Sequence, residues 1–446
     1  RADGSSQFGP DKRWGYFPSG AVAWIITEEN FMKDYSNIVS YLKLRGSVGK
    51  TGSQNLGAYD WRTLMGSATY NGAAGIVPSS LGNDILQWEE QIQKEVGLDY
   101  GFWDDRIRGT LGYYQKKVDN LLYSDPVPTS SSFSSVYQNI GSLKNRGIEF
   151  DVRVDIIKNV QKDLTWNVDF NIARNRTTLE KLNSSDGYFG GGAYDYFKIE
   201  EGGETGRFYG YKDAGRLFMT NEELVGLKTI DPKTGTLKYY RDDYNYERQG
   251  DVYIMDLDGD GQITADGDRT VIGNANPDFF GGFGSTLYWK GLMLNAVFSY
   301  SVGGDRFWDE EKNSSGDMNV YNTSNRILDS WTVNPGVNAS YPRAMYYGWG
   351  SNSIITDRYI HDASYLRMTA LNLSYRLPKH LYKNSILNAV EFTFQATNLF
   401  TWTKYPGMDP QGNFSTTYSA FYNMGIDYST YPSARTYNFG IKLTLK

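Results

Sequence analysis

Between Asp256 and Asp268 the chain reads Asp-Leu-Asp-Gly-Asp-Gly-Gln-Ile-Thr-Ala-Asp-Gly-Asp. Asp256, Asp258 and Asp260 stand at positions 1, 3 and 5 of a loop, Gly261 at position 6, and Gln262 offers a main-chain carbonyl at position 7. That is how an EF-hand-type calcium loop begins. Calcium takes six to eight hard oxygens, and this spacing wraps them round one point. Position 12 is Gly267 rather than a bidentate Glu, so Asp266 or Asp268 would have to complete the set after a one-residue shift. The competing reading is a polar turn held by Asx hydrogen bonds. A bound calcium would be structural, fastening the long loop 214–278.

Aromatic residues in glycine-rich stretches are the second chemical feature. Tyr188, Phe189, Tyr194, Tyr196 and Phe197 form one group, Tyr346, Tyr347 and Trp349 another, and Trp402, Tyr405, Tyr418 and Tyr422 a third. Sugar rings stack their apolar faces on such side chains, which also bring polar edges. Tyr196, Tyr347, Trp349, Trp402 and Tyr418 are the candidate substrate contacts. The competing reading is packing of loop against loop.

Catalytic chemistry finds little support. There is no cysteine, and the two histidines, His361 and His380, are far apart in sequence. A thiolate site and a Ser-His-Asp triad are therefore not expected. Glu28-Glu29, Glu89-Glu90 and Asp104-Asp105 are adjacent carboxylates, but nothing places two acids across a scissile bond. The chain reads as a non-enzyme. Its net charge is −6 with no basic block, so nucleic acid is not a partner. No run of ~18 apolar residues is present to make a spanning helix.

The elements that would carry these residues are strands. Ile148, Phe150, Val152, Val154 and Ile156 alternate with Glu149, Asp151, Arg153 and Asp155. After a turn at 159–163, Leu164, Trp166, Val168, Phe170 and Ile172 alternate with Thr165, Asn167, Asp169 and Asn171. One face of this hairpin is wholly apolar and the other polar. A soluble sandwich would turn the apolar face inward; a transmembrane barrel would turn it to lipid and leave Asp151, Asp155 and Asp169 in a wet lumen. The same alternation predicts strands over 16–27, 38–49, 90–103, 106–118, 279–289, 292–300, 365–375, 390–398 and 435–446.

The connections choose between the two. Short ones, at 28–37, 104–105, 158–163, 290–291 and 376–389, alternate without exception with long ones at 50–86, 119–139, 178–278, 303–363 and 401–434. An up-and-down sheet then has every short turn at one end and every long loop at the other, as outer-membrane barrels do. A Greek-key sandwich has no reason to produce that asymmetry. The expected fold class is all-β, a transmembrane up-and-down antiparallel β-barrel. About eleven strands leave two edges that lipid would not tolerate, so more polypeptide is expected to close the barrel. The start at Arg1 rather than Met fits that expectation.

Several stretches resemble the SusC/RagA-like TonB-dependent outer-membrane transporters of Bacteroidetes. They are 1–33, Gly206–Lys212 (GRFYGYK), Gly250–Phe283 (GDVYIMDLDGDGQITADGDRTVIGNANPDFFGGF), Thr397–Trp402 (TNLFTW) and Tyr431–Gly440 (YPSARTYNFG). The resemblance runs along nearly the whole chain. It implies the C-terminal half of a roughly 22-stranded barrel, with an N-terminal plug and a TonB contact outside residues 1–446. It implies import of nutrient oligomers across the outer membrane of a Gram-negative bacterium, with a SusD-like surface lipoprotein as lid. Oligosaccharides are the expected substrate and peptides the alternative within the same transporter type. A secreted calcium-dependent glycan-binding β protein is the alternative outside it. The chain ends on Lys446, whereas such barrels commonly end on an aromatic residue; Tyr437 and Phe439 are the candidates for that assembly signal.

Overall fold

The computed structural model describes residues 1–445 except 160, 183–187, 190–195, 221–222, 224–228, 231–236, 239–248, 262, 317–321, 345–351, 353, 384–385 and 413–423. Alternating apolar and polar residues fold into one 11-stranded antiparallel sheet. Its strands are β1 (Ser19–Ile25), β2 (Val39–Ser53), β3 (Glu89–Phe102), β4 (Ile107–Asp119), β5 (Ser142–Asn159) and β6 (Leu164–Lys181). They continue as β7 (Phe279–Trp289), β8 (Leu292–Val302), β9 (Tyr365–Arg376), β10 (Leu387–Thr403) and β11 (Thr436–Leu445). Each strand pairs with the next in sequence, with no crossover. Asp163, Lys290 and Gly291 take positive φ at the tight turns, which closes them in a few residues.

The register shows which side chains share a face. Trp166, Leu287, Leu294, Leu373, Phe394 and Phe439 lie along one row from β6 to β11. The row beside it, on the opposite face, is Asn167, Thr286, Asn295, Asn372, Gln395 and Asn438. Its amides bond across strands: Asn295 Nδ2 donates to Thr286 Oγ1 at 2.9 Å and Asn372 Nδ2 to Asn295 Oδ1 at 3.0 Å. On β2–β5 the same face is ionic. Arg45 is paired with Glu95 and Asp99, and the Thr110 backbone N–H donates to Asp151 at 2.7 Å. The other face leaves large apolar side chains uncovered, Val22 at 78% and Phe439 at 81% exposure. The sheet is therefore inside out relative to a soluble one, as a spanning barrel wall requires. Tyr100 and Tyr300 lie on this outer face and fill gaps left by glycine. Each ring crosses a neighbouring strand at Gly109 or Gly281, where a Cβ would touch its hydroxyl at 2.6 or 2.8 Å.

The strand ends differ from the sequence reading where the ladder slips. β10 runs through Trp402 instead of ending at Asn398. Its register with β9 shifts between Met368 and Ala370, and Asn398 adopts φ 52°. The slip drops Asn398 and Leu399 out of the alternating pattern, so the period breaks off there although the strand continues.

The long connections, expected to be irregular, carry folded structure of their own. A hairpin pairs Met65–Tyr70 with Ala73–Pro78. Arg207–Tyr211 pairs with Arg269–Asn274, and Asp213–Leu217 with Val252–Ile254. A three-stranded sheet joins Asp305–Trp308, Ile360–Asp362 and Ile426–Asp427, drawing two long loops together. Beneath it Phe197, Phe208, Ala275, Phe307, Tyr359 and Ile426 form a buried apolar cluster. A second cluster holds Leu217, Phe218, Val252, Ile254 and Ile263.

Candidate functional site

The small loop sheet has two faces because its strands alternate. Phe307, Ile360 and Ile426 serve the apolar cluster. Arg306 sits opposite His361, and Trp308 opposite Asp427, so these four share the other face. The Trp308 and His361 rings meet edge to face at 5.8 Å, and the Tyr405 ring lies 6.2 and 6.4 Å from them. The Tyr405 hydroxyl donates to Asp427 Oδ2 at 2.7 Å. Burial, then the Asp427 carboxylate, push the Tyr405 phenol far above its ordinary value, so it stays a donor.

The chain turns after Trp308 and places Asp309 and Glu311 inward, both buried. Glu311 gathers three partners: His361 Nε2 at 2.6 Å, Arg326 Nη1 at 2.5 Å and the Tyr341 hydroxyl at 3.3 Å. The Arg326 guanidinium lies 4.5 Å over the Trp308 ring. Asp309 accepts from the Tyr196 hydroxyl at 2.7 Å and pairs with Lys312 at 3.3 Å. A second link reaches the barrel wall. Arg367 of β9 donates to Asp409 Oδ1 and to Gln411 Oε1, each at 2.6 Å, and to Thr401 Oγ1 at 3.0 Å. Burial raises the Asp409 carboxyl, but Arg367 and the backbone N–H groups of Gln411 and Ser433 outweigh it and hold it below its ordinary range. The result is an ionic and aromatic layer roofing the polar face of the wall, in which Trp308 Nε1 and Arg306 Nε are buried without a hydrogen-bond partner among the described residues. It offers rings and hydrogen-bonding groups.

The structure sorts the sequence candidates. Tyr196 packs edge to face on Phe307 at 4.9 Å and bonds Asp309, so it braces the layer. Trp402 must be corrected. It pairs with Leu366 and stacks on Phe400 at 5.9 Å, while its neighbour Thr401 takes the Arg367 hydrogen bond on the other face. Trp402 thus points away from the lumen, towards lipid. Tyr347, Trp349 and Tyr418 lie outside the described residues. Sequence reasoning passed over Glu311, Arg326 and His361. His361 lies on a three-residue strand, and Glu311 and Arg326 on short helical turns, all too brief to show a period.

In the acidic loop, carboxylate oxygens of Asp256, Asp258 and Asp260 lie within 4.8 Å of one another. Gly259 and Gly261 take positive φ and wrap the chain round Asp256. Asp256 accepts the N–H groups of Gly259 and Gly261 at 2.7 and 2.8 Å. A hydrogen bond from the Asp260 N–H lowers Asp258, yet desolvation and the carboxylates of Asp260, Asp268 and Asp256 leave it raised. Mutual repulsion of this kind is what a cation would relieve. Asp268 stands apart from the trio. It is buried and accepts from Leu257 N and Thr264 N, each at 2.7 Å, so it closes the loop with its own oxygens. Asp266 is exposed, and Gln262 lies outside the described residues. A Cβ at Gly267 would press on the Asp258 carboxylate, so a larger residue there would push Asp258 out of its present position. The donor set fits calcium through three carboxylates, without a bidentate residue at position 12.

Comparison with known proteins gives consistent matches. Residues 1–399 match the family described as TonB dependent receptor-like, beta-barrel. TonB-dependent receptor P3 of Formosa agariphila is 33% identical over 99% of this chain and 43% of its own length. TonB-dependent receptor SusC of Bacteroides thetaiotaomicron is 31% identical over 99% of this chain and 41% of its own. Among solved structures, the RagAB peptide importer in its 'closed-closed' state superposes with a TM-score of 0.76 at 27% identity, over 99% of this chain and 45% of that one. The chain thus spans less than half the length of the relatives it matches.

Proposed function

The chain belongs to the TonB-dependent receptor β-barrel family, and from that premise we propose that it forms the C-terminal half of the barrel of an outer-membrane importer of the SusC/RagA type. Family membership places it in the outer membrane of a Gram-negative bacterium and among receptors, not enzymes. The observation that carries the proposal is the wall itself. Eleven consecutive strands form one meander with an apolar outer face, a polar inner face and folded loops gathered over one end. A secreted glycan-binding protein has no use for an inside-out sheet of that size.

The residues divide the work. The amide row on β6–β11 and the ionic row on β2–β5 keep the lumen hydrated, so a polar solute crosses without leaving hydrogen-bonding surroundings. The layer around Glu311, Arg326, Trp308 and Tyr405 forms the rigid floor of a binding chamber on the external side. In this proposal the remaining strands, the plug and the TonB contact come from the rest of a longer polypeptide, and a SusD-like lipoprotein closes over the loops. Oligosaccharides are the proposed cargo, since neutral amides and tyrosines suit hydroxyl-rich solutes. Peptides are the second reading, supported by the similarity to the RagAB peptide importer. Calcium at Asp256, Asp258 and Asp260 would pin the loop that carries the second apolar cluster, by drawing three mutually repelling carboxylates together.

The test is uptake by cells that make the full-length protein with its lipoprotein, fed labelled oligosaccharides or peptides. Saturable uptake that needs TonB is the expected result; TonB-independent uptake, or uptake by residues 1–446 alone, overturns the proposal. For calcium, a chelator should speed proteolysis within 256–268 in the wild type but not in Asp258→Asn. Equal proteolysis with and without chelator removes the metal.

A further inference from the structure

The outer face of β3–β6 changes character row by row towards the loop end. Leu98, Leu111, Phe150 and Ile172 share one row. One dyad step higher come Val96, Tyr113, Ile148 and Arg174. The next row is Lys94, Gln115, Arg146 and Arg176. Above it Lys117 and Lys144 stand opposite each other and share Glu180, at 3.5 and 3.2 Å. Lys50 pairs with Glu90, and Arg176 with Asp278 and Glu204. Lys94, Arg146 and Arg174 differ. They are exposed, and among the described residues they have no carboxylate partner.

We propose that Lys94, Arg146 and Arg174 form a docking site for the phosphate groups of anionic lipids in the outer leaflet. The proposal rests on the barrel reading and its orientation, with the long loops external. Three features carry it. The cations point to the lipid side, by the same alternation that exposes Val96 and Ile148. Lys94 and Arg146 sit directly above the row that ends the apolar band, and Arg174 stands in that row itself, where Tyr113 marks the interface and headgroups begin. Their spacing also suits one headgroup. Lys94 and Arg146 are two strands apart, about 10 Å, and Arg174 is diagonal to Arg146, about 7–8 Å between backbones. Arg146 faces Arg176 across the ladder, but Arg176 is held by Asp278 and Glu204, so Arg146 is the cation of that pair left open to an anion. Arginine pairs suit phosphate because each presents a planar fork of donors.

The test uses the full-length protein purified in detergent, with native mass spectrometry as readout. The probes are lipid A carrying both phosphates, the same lipid dephosphorylated, and inorganic phosphate. The wild type should retain the phosphorylated lipid about tenfold better than the dephosphorylated one. The triple variant Lys94→Gln, Arg146→Gln, Arg174→Gln should lose that preference, whereas Lys117→Gln, Lys144→Gln, whose cations are already paired, should keep it. Heat-resistant gel mobility checks that each barrel has folded; should the triple variant fail to fold, Arg146→Gln alone must still narrow the preference. Equal retention of both lipids by the wild type overturns the site, as does full preference in the folded variant. Displacement of the lipid by millimolar inorganic phosphate also overturns it, by showing a free-anion site. Failure of the barrel reading would look different: a protein that needs no detergent and retains neither lipid.

Discussion

The barrel wall and the loop layer bury their apolar residues in opposite directions. Among the described residues, the buried hydrophobic set lies outside the barrel strands, with Leu179, Val390 and Ala396 the exceptions on them. The wall's own Val22, Ile441 and Phe439 are uncovered. The loop layer therefore folds as a water-soluble domain does, by removing apolar area from water. The wall relies on closed backbone ladders and leaves its apolar face for lipid. One chain thus obeys two solvents, and the boundary falls at the upper ends of the strands.

Mutations separate the two regimes most strongly where each is most specialised. Phe208 is fully buried between Phe197 and Phe307. Phe208→Ala should cost the loop layer about 3–5 kcal/mol, read as faster hydrogen exchange over 305–308 and 360–362. Barrel strands should be unaffected, since their stability does not draw on that cluster; a matching loss in β5 or β6 would erase the distinction between the regions. In the wall, Val152→Arg places a charge in lipid and should cost roughly 2–4 kcal/mol near the midplane. Asn167→Arg, facing the hydrated lumen, should cost far less. Reversible unfolding of the barrel in lipid measures both, and equal costs would invert the assigned faces.

The sequence made these two halves legible to different degrees. Wall strands announce themselves, because the side-chain period of 2 is enforced along each strand by lipid on one face and water on the other. The turns followed, since short connections leave little freedom. Loop structure was hidden for a physical reason. Strands of three or four residues, such as Asp305–Trp308, are too short to show a period, and their pairing is fixed by contacts over a hundred residues away, as between Phe307 and Ile426. His361 gave no sign of a partner because Glu311 is distant in sequence. Trp402 was misread because the slip at Asn398 interrupts the alternation just before it. The acidic loop was legible as a cluster. The role of Asp268 was not, since only the fold shows its oxygens turned to Leu257 and Thr264.

That role gives an intermediate effect. Asp268→Asn keeps one acceptor but sets its NH₂ against a backbone N–H in a buried site. It should cost about 1–3 kcal/mol, confined to 256–268 and visible as local proteolysis. If the trio of Asp256, Asp258 and Asp260 carried the loop alone, this substitution would be silent.

The smallest expected effect is the pH response within the loop layer, where two carboxylates have opposite signs. Asp409 is held below its ordinary value of 3.8 by Arg367. Its ion pair stabilises the layer in full above that value, and the stabilisation is lost as pH falls through the lower folded value. Asp305 lies opposite Asp362 across the small sheet, and burial, then repulsion from Asp362 and Asp278, raise it. The folded state therefore binds its proton more readily than the unfolded chain does. Acidification through the raised value should tighten the strand 305–308, until the unfolded chain is protonated as well. Hydrogen exchange between pH 7 and pH 4, corrected for intrinsic rates, should show slower local opening at 305–308 before any loosening around 409–412 at still lower pH. Asp305→Asn should abolish the first change and leave the second, and Asp409→Asn should loosen its segment already at pH 7. A single loosening shared by both segments on acidification would mean that the small sheet joining the two loops makes the layer titrate as one unit.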